Sequence, residues 1–206
     1  MKKTIILVTL AFSGWNQSQA QQQANMLSTK ERDDAVKFLK ETEAGVFNSV
    51  KGLSEAQLNF KAAPAQWSVA ECVKHIAAAE KELWAMAQGT LNGPANPEKR
   101  ADIKLTDAKL IKAVEDRTHK SKTFAALEPA NSPYKTVPEA LAAFQADREK
   151  LIEFVRSTPI DLRNHVLILL VGTYDIYQFI LLISAHSNRH TQQIEEVKAN
   201  ANFPKK

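Results

Sequence analysis

The sequence predicts an all-α fold, an antiparallel four-helix bundle core with an additional helix and a long crossover, and three observations carry that expectation. Four segments open on a side chain able to cap a helix. Behind each, apolar residues recur at three- and four-residue steps. Between them Gly, Pro and Asn collect, and no convincing strand alternation survives.

The first helix is expected after Ser28, which has Glu31 three residues on to complete a capping box, with Val36, Leu39, Val46 and Val50 forming its stripe. Ser68 and Glu71 repeat the signal ahead of Val69, Cys72, Ile76 and Leu83. Leu110, Ile111, Val114, Phe124 and Leu127 mark a less regular fifth helical segment, and Thr136 with Glu139 opens a stripe of Leu141, Phe144, Leu151 and Val155. Asp175 and Gln178 precede the strongest run, in which Ile176, Phe179, Ile180, Ile183, Ile194 and Val197 share one face. Breaks fall at residues 52–64, 89–97, 129–133 and 159–172, and the last reads as a longer crossing before the final helix. Residues 161–171, with the run Val166-Leu167-Ile168-Leu169-Leu170-Val171, read equally as a short helix, an extended segment or a plug over the bundle end.

Ahead of the helices, Met1-Lys2-Lys3 and an apolar run from Thr4 to Phe12, too short to span a bilayer, read as a secretory signal peptide with cleavage expected after Ser18-Gln19-Ala20. The expected organisation is a signal peptide at 1–20, a flexible N-terminus at 21–27, one bundle domain at 28–200 and a C-terminal tail at 201–206, placing the mature chain in the periplasm or outside the cell. Removal of Lys2 and Lys3 lowers the net charge from +4 to +2, and the remaining basic residues are interspersed with acidic ones, so no nucleic acid is expected as a partner. The second apolar stretch, 166–185, is interrupted by Gly172, Asp175 and Gln178, so no membrane association is expected after cleavage. A small-molecule substrate and a second copy of the chain are the partners that remain. The single cysteine, Cys72, excludes an internal disulfide.

His186 and His190 stand four residues apart on an expected helix, about 40° apart in azimuth and roughly 6 Å along the axis. Each lies seven residues after an apolar stripe position, Phe179 and Ile183, so both continue the inward face. A buried neutral imidazole more often finds an ordinary hydrogen-bond partner than a metal, but two on one stripe at this spacing point to a shared cation. His75, which shares a face with Cys72, Ile76 and Ala79, is the expected third ligand. His119, on a charged face, and His165, in an irregular linker, are expected to play no part. Cys72 and Gln193 are the candidates to stand behind the ligands, Glu71 reads as a capping acid, and Glu80, expected at the boundary of its helix, is the candidate catalytic carboxylate.

Two motifs carry a wider resemblance: Trp67-Ser68-Val69-Ala70-Glu71 with His75 eight residues after the Trp, and His186-x-x-x-His190-x-x-Gln193-Ile194. Over residues 28–200 the chain resembles the DinB-like superfamily of metal-dependent enzymes. The resemblance implies a four-helix bundle holding one divalent metal through three histidines, at His75, His186 and His190; a three-histidine site accepts Zn, Ni, Fe or Mn, and affinity order does not choose among them. Members of that family resemble thiol S-transferases and isomerases that use bacillithiol or mycothiol, and this chain departs from them in its export signal. Three neutral ligands would leave the metal its full charge and an open position, the arrangement suited to hydrolysis or group transfer on a small molecule. The alternative is a non-catalytic, stress-associated metal-binding module, whose closed site would need a fourth ligand that Cys72 could supply.

Overall fold

The computed structural model describes residues 26–119 and 123–205, so the expected signal peptide and the first residues of the N-terminal segment lie outside the described residues. The elements run α1 (Thr29–Val50), α2 (Glu55–Asn59), α3 (Val69–Leu91), α4 (Asp107–Glu115), α5 (Val137–Ser157), β1 (Val166–Leu169), β2 (Gly172–Asp175) and α6 (Ile176–Lys198), with short 3-10 segments at Pro97–Asp102, Ala125–Leu127 and Pro129–Asn131.

Capping chemistry sets the starts. Ser28 and Ser68 each accept from the backbone N–H three residues on, while Glu31 and Glu71 accept from the backbone N–H of the capping serine, satisfying donors that a helix leaves orphaned. Thr136 accepts from the Glu139 N–H, but the Glu139 carboxylate reaches to the Lys135 N–H instead, so only half of that box forms. Asp175 caps α6 as its sequence position suggests. Ser54 with Gln57 forms a further box and opens α2 inside the stretch expected to be a loop.

Four long helices, α1, α3, α5 and α6, form the bundle. Thr42 meets Ser184 at 2.9 Å and Lys198 donates to the Ser49 carbonyl, so α1 and α6 run in the same direction. Trp84 meets Phe154 with ring centroids 4.8 Å apart, near the C-terminal ends of both their helices, so α3 and α5 also run together. These two pairs oppose one another: Arg32, near the start of α1, donates to the carbonyls of Val155 and Thr158 at the end of α5. The chain therefore has to travel back along the bundle between α3 and α5. The described residues between them, 92–119 and 123–136, carry α4 against α6, and this is where the long crossover lies rather than ahead of the last helix. The passage into α6 is instead a hairpin, β1 paired antiparallel with β2 from Val166↔Asp175 to Leu169↔Gly172. Gly172, at φ 150°, closes its turn against Tyr174, where a Cβ would come within 2.5 Å of the phenol oxygen.

The core divides along the bundle. One apolar cluster gathers Leu39, Trp84, Leu151, Val155, Phe179, Ile180 and Ile183, with Leu27 also buried in it; the other gathers Val46, Val69, Cys72, Ile76, Phe144, Ile194 and Val197. The second is closed below by Phe203, whose ring meets Phe60 edge-on at 5.5 Å within the segment expected as a tail. Between them lies a buried polar layer to which all four long helices contribute: Thr42, Glu80, Arg148, Ser184 and Ser187. Among the described residues no helix is long and apolar enough to cross a membrane.

Candidate metal centre

His75 lies in the second turn of α3, and His186 and His190 lie at the middle of α6 and one turn beyond it; because these helices oppose each other, the N-terminal half of α3 meets this part of α6 and the three imidazoles come together. His186 Nε2 is 3.3 Å from His75 Nε2 and 3.2 Å from His190 Nε2, and one ligand atom from each residue lies within 4.8 Å of the other two. His75 and His190 are buried, and His186 is partly covered.

The remaining nitrogens decide what the cluster can do. His75 Nδ1 is 2.8 Å from the Leu127 carbonyl, which can only accept, so that nitrogen carries the proton and Nε2 presents a lone pair. His190 Nδ1 is 2.9 Å from Gln193 Oε1, and the same argument leaves its Nε2 as a lone pair. Two lone pairs thus face His186 Nε2, which can offer one proton at most and to only one of them. Burial lowers the pKa of all three imidazoles: His75 is lowered despite its bond to the Leu127 carbonyl, and His186 falls to about 3 and His190 well below its ordinary value as they also repel a second charge in the cluster. At neutral pH the group is three uncharged bases converging on a point. Two nitrogens bound to a tetrahedral zinc at its usual bond length stand about 3.4 Å apart, close to the spacings found here, so the donor set suits one divalent transition metal.

Trp67 closes one side, its ring stacked on His190 at 5.7 Å and 19° and tilted over His75 at 4.8 Å. The 3-10 turn at Ala125–Leu127 closes another through the Leu127 carbonyl, and nothing in the local sequence announces that contact.

The other residues singled out from the sequence fall as follows. Cys72 is fully buried in the lower apolar cluster, outside the histidine group, with its thiol pushed up to about 12, chiefly by burial. Gln193 reaches the cluster through His190. Glu80 lies in the middle of α3 rather than at its boundary, and both its oxygens are held by Arg148, at 2.6 and 2.8 Å, in the polar layer. A carboxylate clamped by a buried guanidinium is poorly placed to move protons. His119 is exposed beside Asp116, and His165 is buried against the Asp161 carbonyl; neither joins the group. Arg148 was not expected to matter, although its position between Phe144 and Leu151 on the inward stripe of α5 was a usable signal.

A family model described as the DinB superfamily matches residues 39–194. An uncharacterized Bacillus subtilis (strain 168) protein, YuaE, is 29% identical over 153 residues, covering 74% of this chain and 90% of its own length. Among solved structures, YfiT from Bacillus subtilis, described as a probable metal-dependent hydrolase with an unusual four-helix bundle topology, superposes with a TM-score of 0.60 at 16% identity, over 86% of this chain and 91% of that one.

Proposed function

This chain belongs to the DinB superfamily, and from that premise we propose that it holds one divalent transition metal through His75, His186 and His190 and acts as a metal-dependent hydrolase or transferase on a small molecule. The observation that carries the reading is the convergence of three neutral imidazole nitrogens, with spacings of 3.2 and 3.3 Å and two of them fixed as lone pairs by bonds on their far side. A cation bound there supplies Lewis acidity towards a substrate oxygen or sulfur.

An open site is favoured over a closed structural one. Among the described residues the ligand-capable group contains histidines alone, and Cys72, the expected fourth ligand of a closed site, is a buried protonated thiol in the apolar cluster. The hydrolase description of YfiT supports the reaction class by analogy of fold. Glu80 has no part in proton transfer on this reading, being held by Arg148. His75 and His190 present their lone pairs, and Trp67 packs over both rings and shields that side of the site from water. Export, supported by the basic start and short apolar run at residues 1–20, would place the reaction outside the cytoplasm and away from cytoplasmic thiol cofactors.

The test is elemental mass spectrometry of protein beginning at Gln21, expressed through the periplasm and purified without chelators or an affinity tag, alongside His186→Ala/His190→Ala. About one equivalent of a transition metal in the first and none in the folded double variant is expected. Negligible metal in both after reconstitution overturns the proposal.

A further inference from the structure

His190 Nδ1 meets Gln193 Oε1 at 2.9 Å, and Arg117 Nη1 approaches the same oxygen at 3.4 Å. Arg117 is itself fixed by a fork to Glu196, with Nε to Oε1 at 3.0 Å and Nη2 to Oε2 at 2.7 Å. The four side chains form a line running outward from the histidine cluster. Its chemistry is directional, because a glutamine amide has an accepting and a donating end, whereas a guanidinium only donates. With Arg117 on one side, only the oxygen end of Gln193 can face it. That oxygen then accepts from His190 Nδ1, which must carry the ring proton, leaving His190 Nε2 a lone pair aimed at His186.

We propose that Gln193 is a positioning residue for the metal site and that the Arg117–Glu196 pair acts through it, by forbidding the amide orientation that would put the proton on the wrong nitrogen of His190. The inference rests on the metal reading above. It assigns a role to an ion pair on the bundle surface that an inventory of ligands leaves out. If the amide turned over, its N–H would point at Nδ1, the proton would move to Nε2, and His190 would no longer be a ligand without a tautomer change. Trp67, stacked on the same ring, resists tilt, but both tautomers share one ring plane and stacking cannot choose between them.

The design makes a prediction that a packing role does not. Outer partners of metal-bound histidines typically contribute about 10–100-fold in metal affinity. Gln193→Leu, which removes the acceptor, is expected to weaken zinc and cobalt binding by about that factor, measured by chelator competition on the mature protein. Arg117→Leu, which frees the amide to turn, is expected to lose affinity in the presence of Gln193. In Arg117→Leu/Gln193→Glu the affinity is expected to return, because a carboxylate offers oxygen at both ends and cannot present a donor. The visible absorption of the cobalt-loaded protein should follow the same order, altered in the two leucine variants and restored in the double variant.

Equal affinity in the wild type and a folded Gln193→Leu variant overturns the proposal and leaves the metal reading standing. So does a double variant as weak as Arg117→Leu alone, which would mean that the arginine acts through charge or packing. A wild-type protein that binds neither ion overturns both.

Discussion

Ser184 and Ser187 commit one face of α6 to the polar layer around Arg148, while His186 and His190 commit the adjoining turns to the histidine cluster, and the two groups answer the cost of buried polarity in opposite ways. Arg148 places Nε and Nη2 on the two oxygens of Glu80, Nη1 on the Leu39 carbonyl and Thr42 Oγ1, and the second Nη2 hydrogen on Ser187 Oγ. Five N–H donors meet five acceptors, and the guanidinium also lies 4.9 Å from the centre of the Phe144 ring. The histidine cluster has the reverse pattern, with acceptors aimed at acceptors and too few protons to bridge them. A closed hydrogen-bond inventory marks architecture, since all four helices are tied at one level, whereas the open inventory of the histidine cluster is the one that the proposed metal would close.

The contrast is broken most sharply on the closed side. Arg148→Met strands the Glu80 carboxylate in the core, and removing one partner of a buried pair costs about 3–5 kcal/mol, to be read from urea unfolding. Glu80→Leu/Arg148→Met should recover most of that loss, because apolar replacement of a whole buried pair is often neutral. A cost below about 1 kcal/mol for the single variant would show that the layer behaves like a surface pair and does not hold the four helices together.

On the open side the effect should come from outside the protein. Zinc at about a hundred times its dissociation constant should stabilise the wild type by about 2.7 kcal/mol and leave His186→Ala/His190→Ala unmoved in thermal unfolding. Equal shifts in both proteins would place the metal elsewhere.

Protons offer a third, smaller probe. The imidazole pKa values are depressed in the folded metal-free protein, so the unfolded chain takes up protons first as pH falls through the ordinary histidine range. Stability is therefore retained above about pH 6.5 and lost progressively below it, towards the folded value of about 3 at His186. Between pH 6.5 and 5 the loss assignable to His186 is about 2 kcal/mol, and it should appear as a steeper decline in the apo wild type than in His186→Ala/His190→Ala. Parallel declines would mean that His186 and His190 are hydrated and free to protonate in the folded state.

Much of this was legible in the chain, and the gaps have physical causes. Helix starts were visible because capping is local: Ser28, Ser68 and Asp175 each meet a backbone N–H three residues away. His186 and His190 were visible because one helix fixes their separation, and His75 because its stripe pointed inward. Arg148 was hidden by its neighbours, since Asp147-Arg148-Glu149 reads as a solvated charge run unless the register from Phe144 to Leu151 is followed through it. Helix direction was not legible at all: whether α3 and α5 run together depends on how residues 92–136 return along the bundle, and loop composition does not encode that path. Residues 161–171 read equally as a helix, an extended segment or a plug because Val166 to Val171 is uniformly apolar; the extended reading holds at β1, while its pairing with β2 is defined by the two strands together and by Gly172 rather than by alternation.

The smallest expected effect bears on whether the open cluster is truly open. Cys72 lies one turn before His75 on α3, close enough in sequence to make a fourth ligand, yet its thiol is enclosed by apolar side chains and held at about 12, and ligation would require the thiolate. Cys72→Ala removes one buried sulfur, comparable to a methylene group, and should cost about 1 kcal/mol while leaving metal stoichiometry and affinity as they were. A closed structural site predicts the opposite, loss of metal and a much larger fall in melting temperature, because the fourth bond would go with the sulfur. Elemental analysis and a melting curve on this one variant therefore separate the two, and retained metal would leave the fourth position for a substrate.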